Sequence, residues 1–325
     1  MRTPEFWQRG GSLPVLLAPS AMLYNLASQL RRGLTRPARA PVPVICIGNL
    51  TAGGAGKTPV TLAVVRHLMS AGQRVHILSR GYGGREVGPV AVDRHRHGVR
   101  EVGDEALLLA GAAPTWVAHN RLAGARAAVE AGAQIIVMDD GLQNNSLAKD
   151  LSLLVIDGGY GFGNGRIIPA GPLRESPARG LARADAVVLV EDPAARNVAI
   201  HRNNGLPWLD ARLVPDDAAT RLVGRSVVAF AGIGRPEKFF ATLQALGCRL
   251  AGGQAFADHH VYRPDEIMQL VELASQLGAD LVTTTKDMVR LPADARAMVT
   301  AVAITLEFDD TGALDRVLAP VLIGR

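Results

Sequence analysis

A glycine-rich run beginning at residue 48 has the residue types and the spacing of a phosphate-binding loop. The sequence of residues 48–58 is GNLTAGGAGKT. Glycines let backbone N–H groups approach phosphate oxygens, and a helix that starts at the lysine adds the positive end of its dipole. We expect Lys57 to contact the β- and γ-phosphates of a nucleotide and the hydroxyl of Thr58 to bind Mg²⁺. The predicted phosphate-binding residues are Thr51, Ala52, Gly53, Gly54, Ala55, Gly56, Lys57 and Thr58.

The loop is a variant, because Thr51 stands where the strict pattern has glycine. The alternative interpretation is a glycine-rich turn that binds nothing. The Gly-Lys-Thr ending, placed between an apolar strand and a helix, favours the phosphate-binding function.

A pair of carboxylates, Asp139 and Asp140, follows the apolar run IIVM of residues 135–138. Side chains at the carboxyl end of a buried strand lie at the ligand-binding edge of an open α/β sheet. At least one of the two is predicted to hold magnesium through water. The alternative is a turn or helix-capping role, and the sequence does not separate the two residues.

Strand and helix patterns alternate from residue 42, which is typical of a parallel sheet covered by helices on both faces. We therefore predict an α/β fold with a mostly parallel sheet of the P-loop NTPase type, a second smaller α/β unit and an amphipathic N-terminal helix. The predicted strands of the first unit are Pro43–Gly48, Arg74–Leu78, Gln134–Met138, Leu151–Ile156 and Ala186–Val190, and its helices are Pro59–Ser70, 104–111 and 121–131.

The same patterns predict the organisation of the whole chain. An N-terminal segment covers residues 1–40, a P-loop domain 41–191, a connecting segment 192–220 and a C-terminal α/β domain 221–325. A polar, glycine-rich stretch near 81–100 is predicted to be a mobile hairpin. A long Gly- and Pro-rich loop at 158–180 is predicted to be functional, because structureless loops of that length usually are. In the C-terminal unit the predicted strands are Ser226–Phe230, Arg249–Phe256, Asp280–Thr284 and Val299–Leu306, and the helices are Pro236–Leu246, Pro264–Leu277 and a last helix near 313–322.

Positive charge is concentrated at the N-terminus. The chain has a net charge of +5, and residues 1–40 contain six arginines against one glutamate, so the remainder is balanced. This distribution favours anionic lipid headgroups over nucleic acid as the partner. The segment Leu13–Leu30 is amphipathic and interrupted by prolines, which fits a helix lying in a membrane interface rather than a spanning helix. Docking of this helix on the protein's own core is the open alternative.

The two cysteines, Cys46 and Cys248, lie in apolar strand-like runs of the 325-residue chain. We expect both to be buried free thiols in a protein of the reducing cytoplasm, rather than a disulfide or a metal site.

Several further motifs extend over nearly the whole chain. They are Phe6-Trp7, the loop start at Asn49, SRGYG at 79–83, GDE at 103–105, DDGLQ at 139–143, GNG at 163–165, PAGPLRE at 169–175, FADHH at 256–260 and TKD at 285–287. In this combination the chain resembles the tetraacyldisaccharide 4'-kinases, the lipid A 4'-kinases of Gram-negative bacteria.

The resemblance implies an ATP- and Mg²⁺-dependent transfer of phosphate to the 4'-hydroxyl of a tetraacylated glucosamine disaccharide 1-phosphate, forming lipid IVA. It also implies that the enzyme acts at the cytoplasmic face of the inner membrane, with its N-terminal segment in contact with the bilayer. No obligate protein partner is inferred. Asp104 becomes the candidate general base with His259 as its partner, and Lys57 is the third catalytic candidate. Further candidates for the nucleotide and substrate site are Tyr82, Arg121, Gln143, Arg174 and Glu175.

Departures from the family pattern and rival functions are also visible. Many relatives have His-Arg where this chain has Asn144-Asn145; an asparagine can form hydrogen bonds there but carries no charge. A P-loop GTPase would need an aspartate where Met288 follows Thr285-Lys286-Asp287. A non-enzymatic nucleotide-binding module would not need Asp104, and a kinase for a small soluble substrate would leave the amphipathic segment without a purpose.

Overall fold

Two β-sheets form the framework of the molecule, which confirms the predicted α/β class. The computed structural model describes residues 4–53, 56–190, 202 and 204–322. The strands in these ranges are β1 (Val44–Gly48), β2 (Val75–Ser79), β3 (Val90–Ala91), β4 (Thr115–Val117), β5 (Ile135–Asp139), β6 (Leu151–Asp157), β7 (Ala186–Val190), β8 (Trp208–Pro215), β9 (Ser226–Ala231), β10 (Arg249–Ala255), β11 (Asp280–Thr284), β12 (Thr300–Val302) and β13 (Ile304–Phe308).

Helices cover both sheets and form the N-terminal segment. The helices of the described residues are α1 (Phe6–Arg9), α2 (Ser12–Leu16), α3 (Ala18–Gly33), α4 (Lys57–Ser70), α5 (Val99–Val102), α6 (Asp104–Leu109), α7 (Arg121–Glu130), α8 (Pro177–Leu181), α9 (Asp217–Thr220), α10 (Pro236–Ala245), α11 (Pro264–Gln276), α12 (Thr285–Met288) and α13 (Thr311–Leu322), with a 3₁₀ turn at Ala295–Met298.

The large sheet places the two predicted nucleotide motifs side by side. Its nine strands run in the order β13-β8-β7-β6-β1-β5-β2-β4-β3, and its central strands are parallel. Strand β1 pairs with β5 in a register that sets Ile47 opposite Asp139. Both strands are buried along their whole length. The loop after β1 and the aspartates after β5 therefore emerge at the same edge of the sheet.

Helix α4 follows the phosphate-binding loop and packs on the large sheet. Val60, Val64 and Leu68 recur at intervals of four residues and are fully buried, as expected for a helix with one apolar face. The helix starts at Lys57, two residues before the predicted start, because the left-handed Gly56 ends the loop there. Cys46 and Cys248 are buried free thiols, as predicted.

The small sheet has the order β10-β9-β11-β12 and is parallel throughout. The segment predicted as one strand, Val299–Leu306, is two strands that belong to different sheets. β12 is the edge of the small sheet, whereas β13 pairs antiparallel with β8 in the large sheet. Helix α13 also packs into the core of the large sheet, so the chain returns to this sheet at its end.

Two other predicted segments differ from a simple linker or hairpin. Of the predicted connection 192–220, residues 192–201 and 203 lie outside the described residues, and the part at Trp208–Pro215 is strand β8 of the large sheet. Within 81–100 the one strand, β3, pairs antiparallel with β4 rather than with a second strand of the segment. The mobility of this segment and the domain boundaries stay predictions.

The N-terminal helices lie on the 158–175 loop. Trp7 Nε1 donates to Pro169 O (3.1 Å), and Asn164 Nδ2 donates to Phe6 O (2.9 Å). Helix α3 buries only Ala21, while its large apolar side chains are exposed. In the described part of the chain, no helix has both the length and the apolar character needed to cross a membrane.

Candidate active site

The phosphate-binding loop leaves β1 and enters α4 at Lys57. Gly56 has a φ of 79°, which glycine adopts without strain, and this turn directs the chain into the helix. Gly54 and Ala55, two of the predicted phosphate-binding residues, lie outside the described residues. Lys57 and Thr58 are in the first turn of α4, where backbone N–H groups have no partner within the helix and can bind an anion.

The start of the loop is held by the segment Pro172–Leu173. Thr51 forms an isolated antiparallel bridge with Leu173, and Ala52 N donates to Pro172 O (2.8 Å). Gly53, the next residue, is exposed. The PAGPLRE run singled out in the sequence is therefore a support of the phosphate-binding loop.

The amine of Lys57 already has two oxygen neighbours. It donates to Asn49 Oδ1 (3.1 Å) and lies 3.7 Å from Asp140 Oδ1. Asn49 is itself fixed, because its Nδ2 donates to Thr51 O (2.9 Å). These contacts hold the lysine in the loop before any phosphate binds.

Asp139, the last residue of β5, is a buried carboxylate that accepts a hydrogen bond from Thr61 Oγ1 (2.8 Å). Burial raises the pKa of Asp139, and the nearby carboxylates of Glu105 and Asp140 raise it further. A cation beside Asp139 would relieve this unfavourable environment.

Asp140, the next residue, faces two cations instead. Arg174 Nη1 donates to both of its carboxylate oxygens (3.1 and 3.2 Å), and Lys57 Nζ lies 3.7 Å from Oδ1. Burial acts to raise the pKa of Asp140, but the charges of Lys57 and Arg174 outweigh burial and lower it. Asp140 has a φ of 48°, in the left-handed region that aspartate tolerates. The two aspartates, which the sequence could not separate, thus have different surroundings.

Gln143 links Arg174 to the loop. Its Oε1 accepts from Arg174 Nη1 (3.0 Å), and its Nε2 donates to Asn49 O (2.9 Å). Glu175 lies behind this link, where it is buried and ion-paired with Arg32 of α3 (2.9 Å) and with Arg183. The structure thus brings Gln143 and Arg174 to the loop, and it encloses Glu175 between two guanidinium groups.

Asp104, the first residue of α6, meets His259 of the turn that follows β10. His259 Nδ1 lies 2.9 Å from Asp104 Oδ2, while Asp104 Oδ1 accepts from Glu105 N (2.9 Å). Asp104 is 2% exposed. Burial acts to raise its pKa, but the hydrogen bond from His259 and the charges of Lys286, His259 and Arg290 outweigh burial and lower it. An ionised, oriented carboxylate of this kind can accept a proton.

Arg121 and Tyr82 lie in contrasting surroundings. Arg121 is 3% exposed at the start of α7, and its Nη1 donates to Ala118 O, so it is not a surface salt bridge. Burial, together with the charge of Arg80, lowers the pKa of Arg121 to about 10, against the opposing charges of Asp140 and Asp139. Tyr82 is 67% exposed, and its ring centroid lies 5.8 Å from that of His259.

The sequence interpretation missed several residues of this site. Arg290 Nε lies 3.1 Å from Asp104 Oδ2, and Lys286 Nζ lies 3.2 Å from Glu105 Oε1. The available signal was the spacing of Asp287 and Arg290, because residues three apart in a helical turn share a face. Asn144, in place of the family's histidine, accepts from the backbone N–H groups of Ser146 and Leu147 and so stabilises a turn.

The donors around the loop suit magnesium. In the part of the chain that the structure describes, no group of three or more histidine, cysteine or acidic side chains is arranged to hold a metal ion. Magnesium bound with a nucleotide needs only one or two carboxylates, because water and phosphate oxygens complete its shell. The hydroxyl of Thr58 and the carboxylates of Asp139 and Asp140 are oxygen donors of the kind it prefers, so the residues fit.

Comparisons with a family model and with curated proteins indicate the same family. A family model described as "Tetraacyldisaccharide-1-P 4'-kinase" matches residues 13–322. A tetraacyldisaccharide 4'-kinase of Rhodospirillum rubrum is 55% identical over 331 residues, covering 100% of this chain and 99% of the relative. That of Paramagnetospirillum magneticum is 54% identical over 311 residues, covering 95% of each protein.

A solved structure has the same fold. The crystal structure of LpxK from Aquifex aeolicus, described as a complex with ATP, matches with a TM-score of 0.76 and 28% sequence identity. The match covers 95% of this chain and 99% of that chain. The architecture derived above is therefore that of a P-loop enzyme crystallised with ATP.

Proposed function

The chain belongs to the tetraacyldisaccharide 4'-kinase family, and on this premise we propose that it transfers the γ-phosphate of ATP to the 4'-hydroxyl of a tetraacylated glucosamine disaccharide 1-phosphate, forming lipid IVA. One structural observation supports the proposal independently of the similarity to known kinases. The Asp104–His259 pair, 2.9 Å apart, joins α6 to the turn after β10, and α6 packs against the phosphate-binding helix α4. A candidate base thus lies beside a candidate ATP site.

Lys57, Thr58 and the two aspartates would bind the nucleotide. The amine of Lys57 would exchange its contacts with Asn49 and Asp140 for phosphate oxygens, and the first turn of α4 would bind the same phosphates. Thr58, Asp139 and Asp140 would hold Mg²⁺, which supplies positive charge to the β- and γ-phosphates.

Asp104 would act as the general base. The 4'-hydroxyl gives its proton to the carboxylate as its oxygen forms the new P–O bond, the bond between the β- and γ-phosphates breaks, and ADP leaves. The cationic neighbours of Asp104 lower its pKa, so the carboxylate is ionised before the hydroxyl arrives and can accept its proton. His259 would orient it, as it does here at 2.9 Å.

The arginines would position phosphate groups. Arg174 is held by Asp140 and Gln143 beside Lys57. Arg121 is buried where the charges of Asp139 and Asp140 act on its guanidinium. A guanidinium at either place can bind phosphate through two hydrogen bonds. Tyr82 would cover the site from its exposed position next to His259, and Glu175 would act through its neighbours.

The N-terminal helices would bind the cytoplasmic face of the inner membrane. A substrate with several acyl chains stays in the bilayer, so its kinase must reach the surface. Arg31 and Arg32 end α3 with positive charge that anionic headgroups would attract. The exposed apolar side chains of this segment are Leu13, Val15, Leu16, Met22, Leu23, Tyr24, Leu26, Leu30 and Leu34.

Phosphate transfer in mixed micelles tests the function. Wild type, Lys57→Ala and Asp104→Asn would be incubated with radiolabelled ATP, Mg²⁺ and tetraacyldisaccharide 1-phosphate, with micelles lacking acceptor as the control. We expect acceptor-dependent product from the wild type, a loss of roughly 10²–10³-fold for Lys57→Ala and roughly 10²–10⁴-fold for Asp104→Asn with ATP affinity retained. A folded wild type that binds ATP without labelling the acceptor would contradict the proposal and favour a nucleotide-binding module.

A further inference from the structure

A buried arginine from the small sheet lies between two buried carboxylates of different elements. Arg290 lies in the turn after α12, two residues beyond its end, and its side chain is 1% exposed. Its Nε lies 3.1 Å from Oδ2 of Asp104 on α6, and its Nη1 lies 3.3 Å from Oδ1 of Asp287 on α12. One guanidinium therefore connects the candidate base to the small sheet.

The backbone around Arg290 keeps the guanidinium in one orientation. Nη1 donates to Gly232 O (2.8 Å) and to His260 O (3.3 Å), and Nε donates to Lys286 O (3.2 Å). A planar group with this many fixed acceptors cannot rotate without losing several hydrogen bonds. The guanidinium is consequently held beside Asp104 as an ion pair, with Nε 3.1 Å from Oδ2, while its Nε–H donates to Lys286 O.

Asp287 is fixed in turn, so it is a firm counter-ion for Arg290. Its Oδ1 accepts from Gly232 N (2.9 Å) and from the hydroxyl of Tyr262 (2.6 Å), and its Oδ2 accepts from Thr284 Oγ1 (2.6 Å). Asp287 is fully buried. The TKD motif of residues 285–287 thus supports an arginine that reaches the candidate base.

The contacts of Asp104 leave one acceptor position for a substrate. A carboxylate has about four lone-pair positions, two on each oxygen. In the described ranges, Oδ2 is hydrogen-bonded to His259 (2.9 Å) and is covered by the guanidinium of Arg290, whose Nε lies 3.1 Å away as an ion pair. Oδ1 accepts from the N–H of Glu105 (2.9 Å). The second lone pair of Oδ1 is the one that the 4'-hydroxyl can use.

We propose that Arg290 is a positioning residue for the reaction, which holds Asp104 ionised and turned so that the open lone pair of Oδ1 meets the acceptor hydroxyl. Arg290 touches neither ATP nor the acceptor and acts through Asp104. The inference rests on the proposed function, in which Asp104 is the base.

The charges facing Asp104 fix the direction of the pH effect. His259, Lys286 and Arg290 each favour its ionised form. Nearby acids are largely matched, since Glu105 pairs with Lys286 at 3.2 Å and Asp258 lies 3.9 Å from the far nitrogen of His259. Removing the charge of Arg290 raises the pKa of Asp104, so the pH below which the base is protonated and inactive moves upward.

The test compares Arg290→Gln with Arg290→Lys. The pH profile of kcat would be measured at saturating ATP and acceptor, together with ATP affinity and thermal melting. For Arg290→Gln we expect kcat to fall roughly tenfold or more and the acid limb to move up by about one pH unit, with ATP affinity unchanged. Arg290→Lys keeps the positive charge but loses the planar set of N–H donors, so we expect a lower kcat and an acid limb of the pH profile at the wild-type position.

Arg296→Gln is the matched control. Arg296 is exposed, and its side chain donates only to backbone carbonyls among the described residues, to Leu291 O and Val289 O at 3.1 Å each. Its loss should leave both kcat and the acid limb unchanged. An acid limb that stays in place in folded Arg290→Gln would overturn the inference.

A double variant separates positioning from a general loss of structure. If Arg290 acts through Asp104, adding Arg290→Lys to Asp104→Asn should cause no further loss of kcat, whereas independent losses that multiply would overturn the proposal. Should Arg290→Gln fail to fold, Arg290→Lys and this double variant decide the question. A wild type without kinase activity would refute the proposed function itself, whereas an active wild type with an unaffected Arg290→Lys would refute only the role of Arg290.

Discussion

Adjacent aspartates at the end of β5 should respond to pH in opposite ways. The pKa of Asp139 is raised by burial and by neighbouring carboxylates, so its ionisation costs stability that grows as the pH rises above the ordinary carboxyl value near 4. The pKa of Asp140 is lowered by Lys57 and Arg174, so its contribution to stability is present above about pH 4 and is lost as the pH falls. In thermal melting without nucleotide, Asp139→Asn should gain stability relative to the wild type from pH 4 to pH 8.

Asp140→Asn is the control for that measurement, and it should behave inversely. It should be less stable than the wild type at neutral pH, and the difference should shrink as the solution is acidified. Asparagine tolerates the φ of 48° at this position, so the backbone is not strained by the change. Parallel pH profiles for the two variants would contradict the environments assigned to the two carboxylates.

At the residue scale, the predictable part of the site was the part encoded locally. Lys57 and Thr58 are predicted because spacing within a short run specifies a loop, and the aspartate pair is predicted because it ends an apolar strand. The contacts of Arg290 with Asp104 and of Arg32 with Glu175 were not predicted. Each contact joins segments that are far apart in the chain, and local sequence patterns do not predict contacts of that kind.

At the scale of elements, helix α3 presents an apolar face that the described residues leave uncovered. Leu23, Leu26 and Leu30 are 69%, 54% and 60% exposed on this helix. Full burial of one leucine contributes about 1.5–3 kcal/mol, and each 1.4 kcal/mol is tenfold in affinity. Replacing all three by glutamine should therefore weaken binding to anionic vesicles by at least roughly tenfold, as measured by co-sedimentation.

Exposed apolar residues of the small unit provide the matched control for that triple change. Met268, Leu273 and Leu277 are 45%, 39% and 46% exposed at or next to α11. Glutamine at these three positions should leave vesicle binding unaltered. Equal losses in both triple variants would mean that the protein binds lipid without using α3, and would place the membrane contact elsewhere.

Element boundaries were predictable where a single sheet decides them. β1, β5 and β7 lie within two residues of their predicted positions, because apolar runs of strand length admit few alternatives. The run Val299–Leu306 was predicted as one strand but divides between β12 and β13. Its sequence, VTAVAITL, is rich in β-branched residues throughout, as in one strand. The change of sheet depends on β8, whose edge β13 covers.

At the scale of the molecule, contacts from the small unit reach the large sheet on two sides of the phosphate-binding loop. On one side His259 and Lys286 pair with Asp104 and Glu105. On the other, Arg235 at the start of α10 pairs with Asp157 at the end of β6. Strand β6 neighbours β1 on one side, whereas α6 contacts β4 on the other side of β1, so these ion pairs lie on opposite sides of the strand that carries the loop. The candidate base and the ATP site thus depend on how the two units meet.

The connection between the units also differs from a simple succession of two domains. All four strands of the small sheet lie between residues 226 and 302. Beyond them, β13 pairs with β8, and Leu314, Leu318 and Val321 of α13 are buried in the core of the large sheet. The last segment of the chain therefore completes the large sheet, although the sequence assigned it to the C-terminal unit.

This topology makes a prediction about fragments. A fragment of residues 216–303 contains the small sheet with α9, α10 and α11, and it should be soluble and melt cooperatively. A fragment of 221–325 carries β13 and α13 without the sheet that buries them, and it should aggregate, because an unpaired strand and an apolar helix face are left exposed. In the full chain, Leu318→Ala should lower the free energy of unfolding by about 2–5 kcal/mol, which chemical denaturation can measure. A stable, monomeric 221–325 fragment together with an unaffected Leu318→Ala protein would show that the C-terminal segment belongs to the small unit after all.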